Sequence, residues 1–336
     1  MALALYAPGL GYYANGLRKF GTLPSSGSDF VTAPELSPLF GRALAVQVRQ
    51  ALQATGTSEV WEFGAGTGAL AHQLLAALGN EVERYTIVDL SGELRERQQH
   101  SLQAFAPRVQ WASEMPARLS GVVVGNEVLD AMPVKLLVRQ GGQANGVWHE
   151  RGVVALGDGL GWEDRPTDLR PPVEIEGPHD ILTEIHPQAD AFVRTLADRL
   201  DRGAAFFIDY GFPEAEFYHP QRHMGTLMCH RAHKADTDPL ADVGLKDITA
   251  HVNFTGIALA AQEAGLPTLG YTSQARFLIN CGVVGMMERE DLVTRATAAK
   301  LITEHEMGEL FKVIALSPQQ DWAPLGFAQG DRTHRL

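Results

Sequence analysis

Apolar residues follow two different periods in the first part of the chain. Short runs that are apolar throughout predict strands buried on both faces, and apolar residues spaced three to four apart predict amphipathic helices. The predicted strands cover 59–63, 84–89, 108–112 and 121–125. The predicted helices cover 36–53, 69–78 and 91–105. Buried strands that alternate with helices are typical of an α/β fold with a doubly wound, mostly parallel sheet.

The pattern changes between residues 134 and 184. Apolar stretches at 136–138 and 147–151 flank a glycine-rich segment, which predicts a β-hairpin. Residues 157–180 are rich in Gly, Pro and Asp and predict a surface excursion. We therefore expect an insertion with a β-hairpin in the middle of the fold.

Helical and strand periods return after residue 185. Predicted helices cover 187–202, 255–264, 273–280 and 289–304. Predicted strands cover 204–208, 225–228 and 311–316, and the residues after 318 are expected to form a loose tail. This continuation completes the α/β pattern.

Composition narrows the function classes. The 336 residues are 45% hydrophobic and 20% charged, which is ordinary for a soluble globular protein. The net charge of −12 argues against non-specific binding to nucleic acid or to anionic membranes. No apolar run reaches the ~18 residues that a membrane span needs. With two cysteines and no evident signal or transit peptide, we expect a cytoplasmic protein without membrane insertion.

A glycine-rich loop follows the first predicted strand. The run 60–68 reads VWEFGAGTG, with glycines at alternate positions before a helix. Such a turn lets the backbone approach a ligand at a helix N-terminus. Asp89 ends the second predicted strand, where a carboxylate can accept both hydroxyls of a ribose. These two features together indicate a cofactor that contains adenosine.

Two cofactors compete for this loop. Gly64, Gly66 and Ala69 fit the dinucleotide pattern G-x-G-x-x-G/A, with Asp89 as its acidic partner. Glu62 and the three alternating glycines also fill the S-adenosylmethionine pattern E/D-x-G-x-G-x-G. S-adenosylmethionine has no phosphate but carries a cationic sulfonium and an amino-acid tail, so an acid before the glycines favours it. The expected cofactor residues are Glu62, Gly64, Ala65, Gly66, Gly68, Asp89, Leu90 and Asn126.

Polar residues follow the fourth predicted strand at Asn126, Glu127 and Asp130. In open α/β sheets, ligands bind beyond the carboxyl ends of the strands, so these residues should lie beside the cofactor loop. Paired carboxylates can hold a planar guanidinium, which has five N–H donors and no acceptor. Glu127 and Asp130 are therefore candidate catalytic residues. Asp130 could equally cap a following helix.

Histidines are dense between residues 219 and 233. Their spacing is compatible with a metal, but Pro220 interrupts a continuous helix and no carboxylate-rich ligand set accompanies them. We predict no metal site. His251 lies among polar residues and is either a hydrogen-bonded structural residue or part of the substrate site.

Several segments together resemble one known family. They are 28–41, 62–68, 126–133, 209–211, 225–227, 247–252 and 307–313. In this order they resemble the MidA-like family of class I S-adenosylmethionine-dependent methyltransferases, which includes the mitochondrial protein arginine methyltransferases needed for assembly of respiratory complex I. The resemblance implies S-adenosylmethionine as cofactor, S-adenosylhomocysteine as product, and an arginine of the 49-kDa-type subunit of complex I as methyl acceptor. It also implies that Asn126 and Glu127 form the methyl-transfer site, so Asn126 is a third candidate catalytic residue.

This interpretation divides the chain into regions with separate tasks. We expect an N-terminal lid and helix at 1–54, a cofactor-binding half at 55–133, the insertion at 134–184, a second core half at 185–318 and a tail at 319–336. The expected substrate and lid residues are Tyr13, Asp29, Thr32, Pro34, Glu35, Asp209, Tyr210 and His251. The alternatives are an NAD-dependent oxidoreductase and a non-catalytic assembly factor that keeps the fold.

Overall fold

A computed structural model describes residues 1–15, 31–89, 92–140, 146–157, 159–177 and 179–336. Its strands are β1 (Glu59–Phe63), β2 (Arg84–Val88), β3 (Val109–Ala112), β4 (Leu119–Asn126), β5 (Lys135–Arg139), β6 (Trp148–Leu156), β7 (Gly159–Pro166), β8 (Ile181–Ile185), β9 (Leu200–Phe212), β10 (Met228–Arg231), β11 (Lys234–Asp236), β12 (Asp247–Thr249), β13 (Val252–Asn253), β14 (Thr268–Ser273) and β15 (Phe311–Leu316). Its α-helices are α1 (Ala2–Tyr6), α2 (Ala33–Leu36), α3 (Pro38–Thr55), α4 (Ala69–Leu78), α5 (Gly92–Ser101), α6 (Pro187–Arg199), α7 (Glu214–Phe217), α8 (Phe254–Glu263), α9 (Gln274–Asn280), α10 (Val283–Met287) and α11 (Leu292–Ile302).

The central sheet has the strand order β14-β15-β9-β4-β1-β2-β3, with β13 beside β9. The pairs from β9 to β3 are parallel, whereas β15 runs antiparallel to both of its neighbours. The predicted doubly wound, mostly parallel sheet is confirmed. The strand order reverses between β1 and β4, and a crevice opens at the carboxyl ends of strands at such a point.

Helices cover both faces of this sheet, which explains why its strands are apolar throughout. Along β4, Val122 and Val124 pack into one core cluster while Val123 packs into the other. The first cluster includes apolar residues of α3 and α4, and the second includes residues of α6 and α8. Fully burying one such side chain stabilises the fold by about 1.5–3 kcal/mol.

The insertion forms a separate antiparallel sheet in the order β7-β6-β5-β8. Strands β5 and β6 make the predicted hairpin, while residues 141–145 of its turn lie outside the described residues. The region predicted as an irregular excursion instead contributes β7. It pairs with β6 so that Val153 lies opposite Trp162. Such cross-strand apolar pairs stabilise a hairpin despite the many turn-forming residues nearby.

Four further expectations need correction. The strand predicted at 225–228 begins only at Met228. The helix predicted at 91–105 ends at Ser101, and the one predicted at 289–304 covers Leu292–Ile302. The residues after 318 are not loose, because Phe327 is buried and its ring packs against that of Phe277. The contact between Phe277 and Phe327 joins segments far apart in sequence, so local patterns do not predict it.

The N-terminal residues pack on a small third sheet of order β11-β10-β12. Leu5 and Tyr12 share a buried cluster with Cys229 and Ile248. The hydroxyl of Tyr6 donates to the carbonyl of Ala131 at 2.8 Å. The first fifteen residues are thereby fixed beside the carboxyl end of β4.

Candidate active site

A cavity of about 1460 Å³ lies at the carboxyl edge of the central sheet. It is bounded by the glycine loop, the turn after β4 and the N-terminal segment. The sequence-predicted residues that line it are Tyr13, Thr32, Pro34, Glu35, Glu62, Gly64, Ala65, Gly66, Asp89, Asn126, Glu127, Asp130, Tyr210 and His251. Asp29 and Leu90 lie outside the described residues. The fold thus brings together residues separated by more than two hundred positions.

The glycine loop has the backbone that its sequence requires. Gly64, Gly66 and Gly68 have φ values of 65°, 53° and 83°, which L-residues with side chains rarely adopt. A Cβ on Gly64 would lie 3.0 Å from Cγ2 of Val128. Gly68 is not in the cavity wall but is the N-cap of α4. The loop therefore turns sharply from β1 into α4 while keeping its backbone open to the cavity.

Glu62 lies below this loop and is buried. Its Oε2 accepts a hydrogen bond of 2.7 Å from the hydroxyl of Tyr85. Burial raises the pKa of Glu62 to about 8, although the Tyr85 hydrogen bond opposes the shift. Glu62 reaches the cavity wall from a fixed position, and a cationic ligand above it would favour its ionised form.

The turn after β4 is held by a carboxylate on the neighbouring strand. Glu127 has a positive φ of 55°, and its N–H donates to the carbonyl of Ile208 at 2.9 Å. Oδ2 of Asp209 then accepts from the backbone N–H groups of Val128, Leu129 and Asp130 at 3.1, 2.9 and 3.2 Å. Asp209 is fully buried and is not in the cavity wall. It supports the turn from behind, whereas the sequence suggested substrate contact.

Asp130 does not cap a helix in this structure. The residues after it form a turn that leads into β5. Its Oδ2 accepts a hydrogen bond of 2.5 Å from the hydroxyl of Tyr210. Burial raises the pKa of Asp130 to about 6, and the Tyr210 hydrogen bond opposes that shift. The capping alternative therefore does not apply, and the carboxylate is directed to the cavity.

Glu127 and Asn126 form the adjacent part of the wall. Nδ2 of Asn126 donates to Oε1 of Glu127 at 2.8 Å. Burial, followed by the nearby Asp130 carboxylate, raises the pKa of Glu127 to about 8. Two carboxyl groups that repel each other in a buried wall bind protons tightly, and a cation between them would release those protons.

Four buried oxygen atoms of residues in the cavity wall have no hydrogen-bond partner among the described residues. They are Oε2 of Glu35, Oδ1 of Asn126, Oδ1 of Asp130 and the hydroxyl Oγ1 of Thr249. Buried polar atoms are nearly always hydrogen-bonded, so unpaired ones at a cavity indicate a ligand or water. An amide oxygen accepts hydrogen bonds, and ionised carboxylates do likewise. This part of the wall is therefore suited to a ligand that is rich in donors.

His251 also lines the cavity. Its backbone N–H donates to Oγ1 of Thr226 at 3.0 Å, and its carbonyl accepts from Nε2 of His186 at 2.9 Å. Its ring lies 5.2 Å from that of Tyr210. Burial, helped by two nearby cationic side chains, lowers the pKa of His251 to about 4. The ring is therefore neutral near pH 7 and adds no positive charge to the acidic wall.

Two N-terminal tyrosines, Tyr6 and Tyr13, are also part of the cavity wall. The rings of Tyr6 and Tyr13 stack at a centroid distance of 5.6 Å. The hydroxyl of Tyr13 donates to Oδ1 of Asp247 at 2.9 Å. Glu35 is tied to the glycine loop, because Oγ1 of Thr67 donates to its Oε1 at 3.1 Å. Tyr6 was not singled out in the sequence, and only its place in a tyrosine-rich segment could have indicated it.

Two negative findings apply to the described part of the chain. It contains no group of three or more His, Cys, Asp or Glu side chains arranged to hold a metal ion. None of its helices combines the length and the apolar character needed to span a bilayer.

The strand order, the glycine loop and the cavity beside it define a class I methyltransferase fold. Residues 43–272 match the family described as "Putative S-adenosyl-L-methionine-dependent methyltransferase". The chain belongs to this family of S-adenosylmethionine-dependent methyltransferases. The NAD-dependent alternative is thereby set aside.

Solved structures and curated relatives agree with this assignment. A Burkholderia thailandensis protein crystallised with S-adenosyl-homocysteine is 52% identical, with a TM-score of 0.94, over 100% of this chain and 90% of that one. The mitochondrial protein arginine methyltransferase NDUFAF7 of Homo sapiens is 26% identical over 95% of this chain and 79% of its own. The Caenorhabditis elegans homologue is 25% identical over 99% and 87% of the two chains.

The cavity fits the cofactor of this family. The positive-φ glycines leave an open loop at the N-terminus of α4, and Asp89 lies in the same wall. The unpaired Oδ1 of Asn126 can accept from the ammonium group of an amino-acid tail. These residues satisfy what a nucleoside with a cationic amino-acid tail requires.

Proposed function

We propose that this methyltransferase modifies the guanidinium group of an arginine in a protein substrate. The observation that carries the proposal is the presence of unpaired carboxylate oxygens of Glu35 and Asp130 in the same cavity wall as Glu127. A guanidinium offers five N–H donors in one plane and no acceptor, so it complements such a wall. A substrate that accepts the methyl group on a carboxylate would be repelled by this wall. A substrate that accepts it on a hydroxyl could donate a hydrogen bond to only one of these oxygens.

Each group in the wall has a proposed role. Gly64, Ala65 and Gly66 hold the cofactor through the loop backbone, Glu62 lies beneath it, and Asp89 accepts from the ribose hydroxyls. Asn126 lies between the cofactor and acceptor parts of the cavity. Glu127 and Asp130 are the proposed catalytic residues. Thr32, Pro34, Tyr13, Tyr210 and His251 shape the space for the acceptor side chain.

The chemistry requires orientation and one proton transfer. Bound S-adenosylmethionine supplies a methyl group that its sulfonium already activates. Glu127 and Asp130 bind the guanidinium N–H groups and turn one nitrogen towards that methyl group, so that a near-attack geometry is held before the reaction. As the N–CH3 bond forms and the S–CH3 bond breaks, the nitrogen loses a proton. A carboxylate of this pair accepts the proton.

The proposed partner is a protein with an accessible arginine. The names of the mitochondrial relatives support protein arginine methylation at about 25% identity. The family resemblance suggests the 49-kDa-type subunit of respiratory complex I as the acceptor. The net charge of −12 suits a basic partner. A cytoplasmic location is part of the proposal, and the two buried free thiols are compatible with a reducing compartment.

Mass spectrometry tests the acceptor directly. Proteins from a strain that lacks this gene are incubated with the purified enzyme and isotopically labelled S-adenosylmethionine. We expect label on arginine of one or a few proteins, and none when the Glu127→Gln variant replaces the enzyme. Label confined to lysine, to carboxylates or to small molecules would show that the arginine proposal is wrong.

A further inference from the structure

Gln98 lies on α5, directly behind the part of the cavity that faces the glycine loop and Asp89. Its side chain is completely buried. Nε2 donates to Oδ2 of Asp89 and to the carbonyl of Gly66, each at 2.9 Å. Oε1 accepts from Nε1 of Trp111, also at 2.9 Å. One amide therefore joins the glycine loop, the end of β2 and the strand β3.

The chemistry of these partners selects glutamine at this position. Asp89 and the Gly66 carbonyl are both acceptors, so they need donors, whereas the indole of Trp111 is a donor and needs an acceptor. Glutamate has the same shape, but it would remove both donors and place a second carboxylate against Asp89. A buried polar network of this kind is fixed only when every member is satisfied.

We propose that Gln98 is a positioning residue that orients the Asp89 carboxylate and the Gly66 carbonyl for cofactor binding. It acts through these two groups, and it does not itself line the cavity. With one Asp89 oxygen held by Gln98, the carboxylate presents a fixed edge to the ribose hydroxyls. The same amide holds the glycine loop at a constant distance from Asp89. The inference concerns cofactor binding alone and is independent of the methyl acceptor.

Calorimetry with S-adenosylhomocysteine measures the effect without any methyl acceptor. We expect Gln98→Glu to weaken binding by about tenfold to a hundredfold, because buried hydrogen bonds to a charged group are lost and a like charge is added. Gln98→Met removes the donors without adding charge, so its affinity should fall between those of the wild type and Gln98→Glu. This second variant keeps the test informative where the first folds poorly.

A matched control is available at Gln47. It is also fully buried on a helix, where its Oε1 accepts from the N–H of Gly326 at 2.7 Å, and it does not line the cavity. Gln47→Glu makes the same chemical change away from the cofactor. It should lower the melting temperature without ligand and leave the S-adenosylhomocysteine Kd within about twofold. A Kd that weakens equally in both variants would attribute the Gln98 effect to general destabilisation and overturn the proposal.

A double-mutant cycle separates positioning from packing. In an Asp89→Asn background, the glutamate of Gln98→Glu no longer faces a negative charge at position 89. The further loss of affinity from Gln98→Glu should therefore be severalfold smaller than in the wild-type background. An equal loss in both backgrounds would show that Gln98 does not act through Asp89. An unchanged Kd in Gln98→Glu with the wild-type Asp89 would also overturn the proposal.

Discussion

The two halves of the cavity treat their buried polar groups in opposite ways. Beside the glycine loop, the protein satisfies two acids internally, through the hydrogen bonds of Glu62 with Tyr85 and of Asp89 with Gln98. The exception there is Oε2 of Glu35, which has no partner among the described residues. Beside the turn after β4, acceptor oxygens of Asn126 and Asp130 are left without partners among the described residues. The first half is arranged before any ligand arrives. In the second half, buried carboxyl groups without partners are energetically unfavourable, and a methyl-accepting group with several N–H donors can stabilise them.

Buried acids in both halves have a thermodynamic consequence. In the cofactor half, a cationic ligand should release a proton from Glu62, whose pKa is raised to about 8. In the half beside the turn after β4, an entering cation should release protons from Glu127 and Asp130. The raised pKa values of Glu127 and Asp130, about 8 and about 6, are the source of that coupling. Variants that act on one half only can therefore separate cofactor binding from methyl transfer.

The largest effect is expected for Glu127→Gln. The amide keeps the shape of the side chain but loses the charge and one acceptor, so kcat should fall by about a hundredfold to a thousandfold. S-adenosylhomocysteine affinity, measured by calorimetry, should stay within about threefold, because the cofactor half is unchanged. Methyl transfer at the wild-type rate would make Glu127 a structural residue and remove the contrast between the two halves.

Gly64→Val tests the cofactor half. The substitution places a branched side chain at a φ of 65° with its Cβ 3.0 Å from Val128. Strain of about 1–3 kcal/mol in the loop should weaken S-adenosylhomocysteine binding by about tenfold to a hundredfold.

The control for that variant is Gly282→Val. Gly282 has a φ of 84°, a Cβ there would meet no atom within 4 Å, and the residue is not in the cavity wall. It should lower the melting temperature and leave the Kd unchanged. Equal Kd values for both variants would mean that the loop backbone does not contribute to the site.

A smaller effect than those of the two substitutions above is expected in the pH dependence of methyl transfer and of stability. Acceptor kcat/KM should rise with pH as Asp130 and Glu127 ionise, near pH 6 and pH 8. Stability should move in the opposite direction. Glu127 keeps its proton in the folded protein between its ordinary pKa of 4.5 and about 8, after the unfolded chain has lost it. The unfolding free energy therefore falls as pH rises through this window.

The Glu127→Gln variant provides the measurement. Urea unfolding at pH 5 and pH 8 should show a smaller pH-dependent loss of stability in the variant than in the wild type. An identical loss in both proteins would exclude Glu127 as its source.

The smallest effect is expected for Tyr210→Phe. Without the hydroxyl that donates to Oδ2 of Asp130, the pKa of Asp130 should rise further. The acidic limb of the kcat/KM profile should then move to higher pH, with about a tenfold loss of kcat/KM. Tyr271→Phe removes another buried hydroxyl, which has no partner among the described residues, and should leave the profile unchanged. A shift of similar size in both would contradict the proposed role of Tyr210.

The fold and one half of the site were predictable from local patterns. Apolar strands that alternate with amphipathic helices require a sheet covered on both faces, and the 60–68 loop can turn as it does only with glycines at positive φ. The strand β7 was missed, because its pairing depends on cross-strand partners in β6 rather than on its own turn-rich composition.

The chain alone determines which chemical groups are available: three alternating glycines, an acid after β2, and Asn126, Glu127 and Asp130 after β4. Only the tertiary structure decided where these groups lie and which partners they have. In the folded protein, Asp209 lies behind the cavity wall, where one of its oxygens accepts hydrogen bonds from three backbone N–H groups. Gln98 is hydrogen-bonded to Asp89 and Gly66. The physical reason is that a sequence pattern records spacing along one element. Burial, hydrogen-bond partners and pKa arise where separate elements meet.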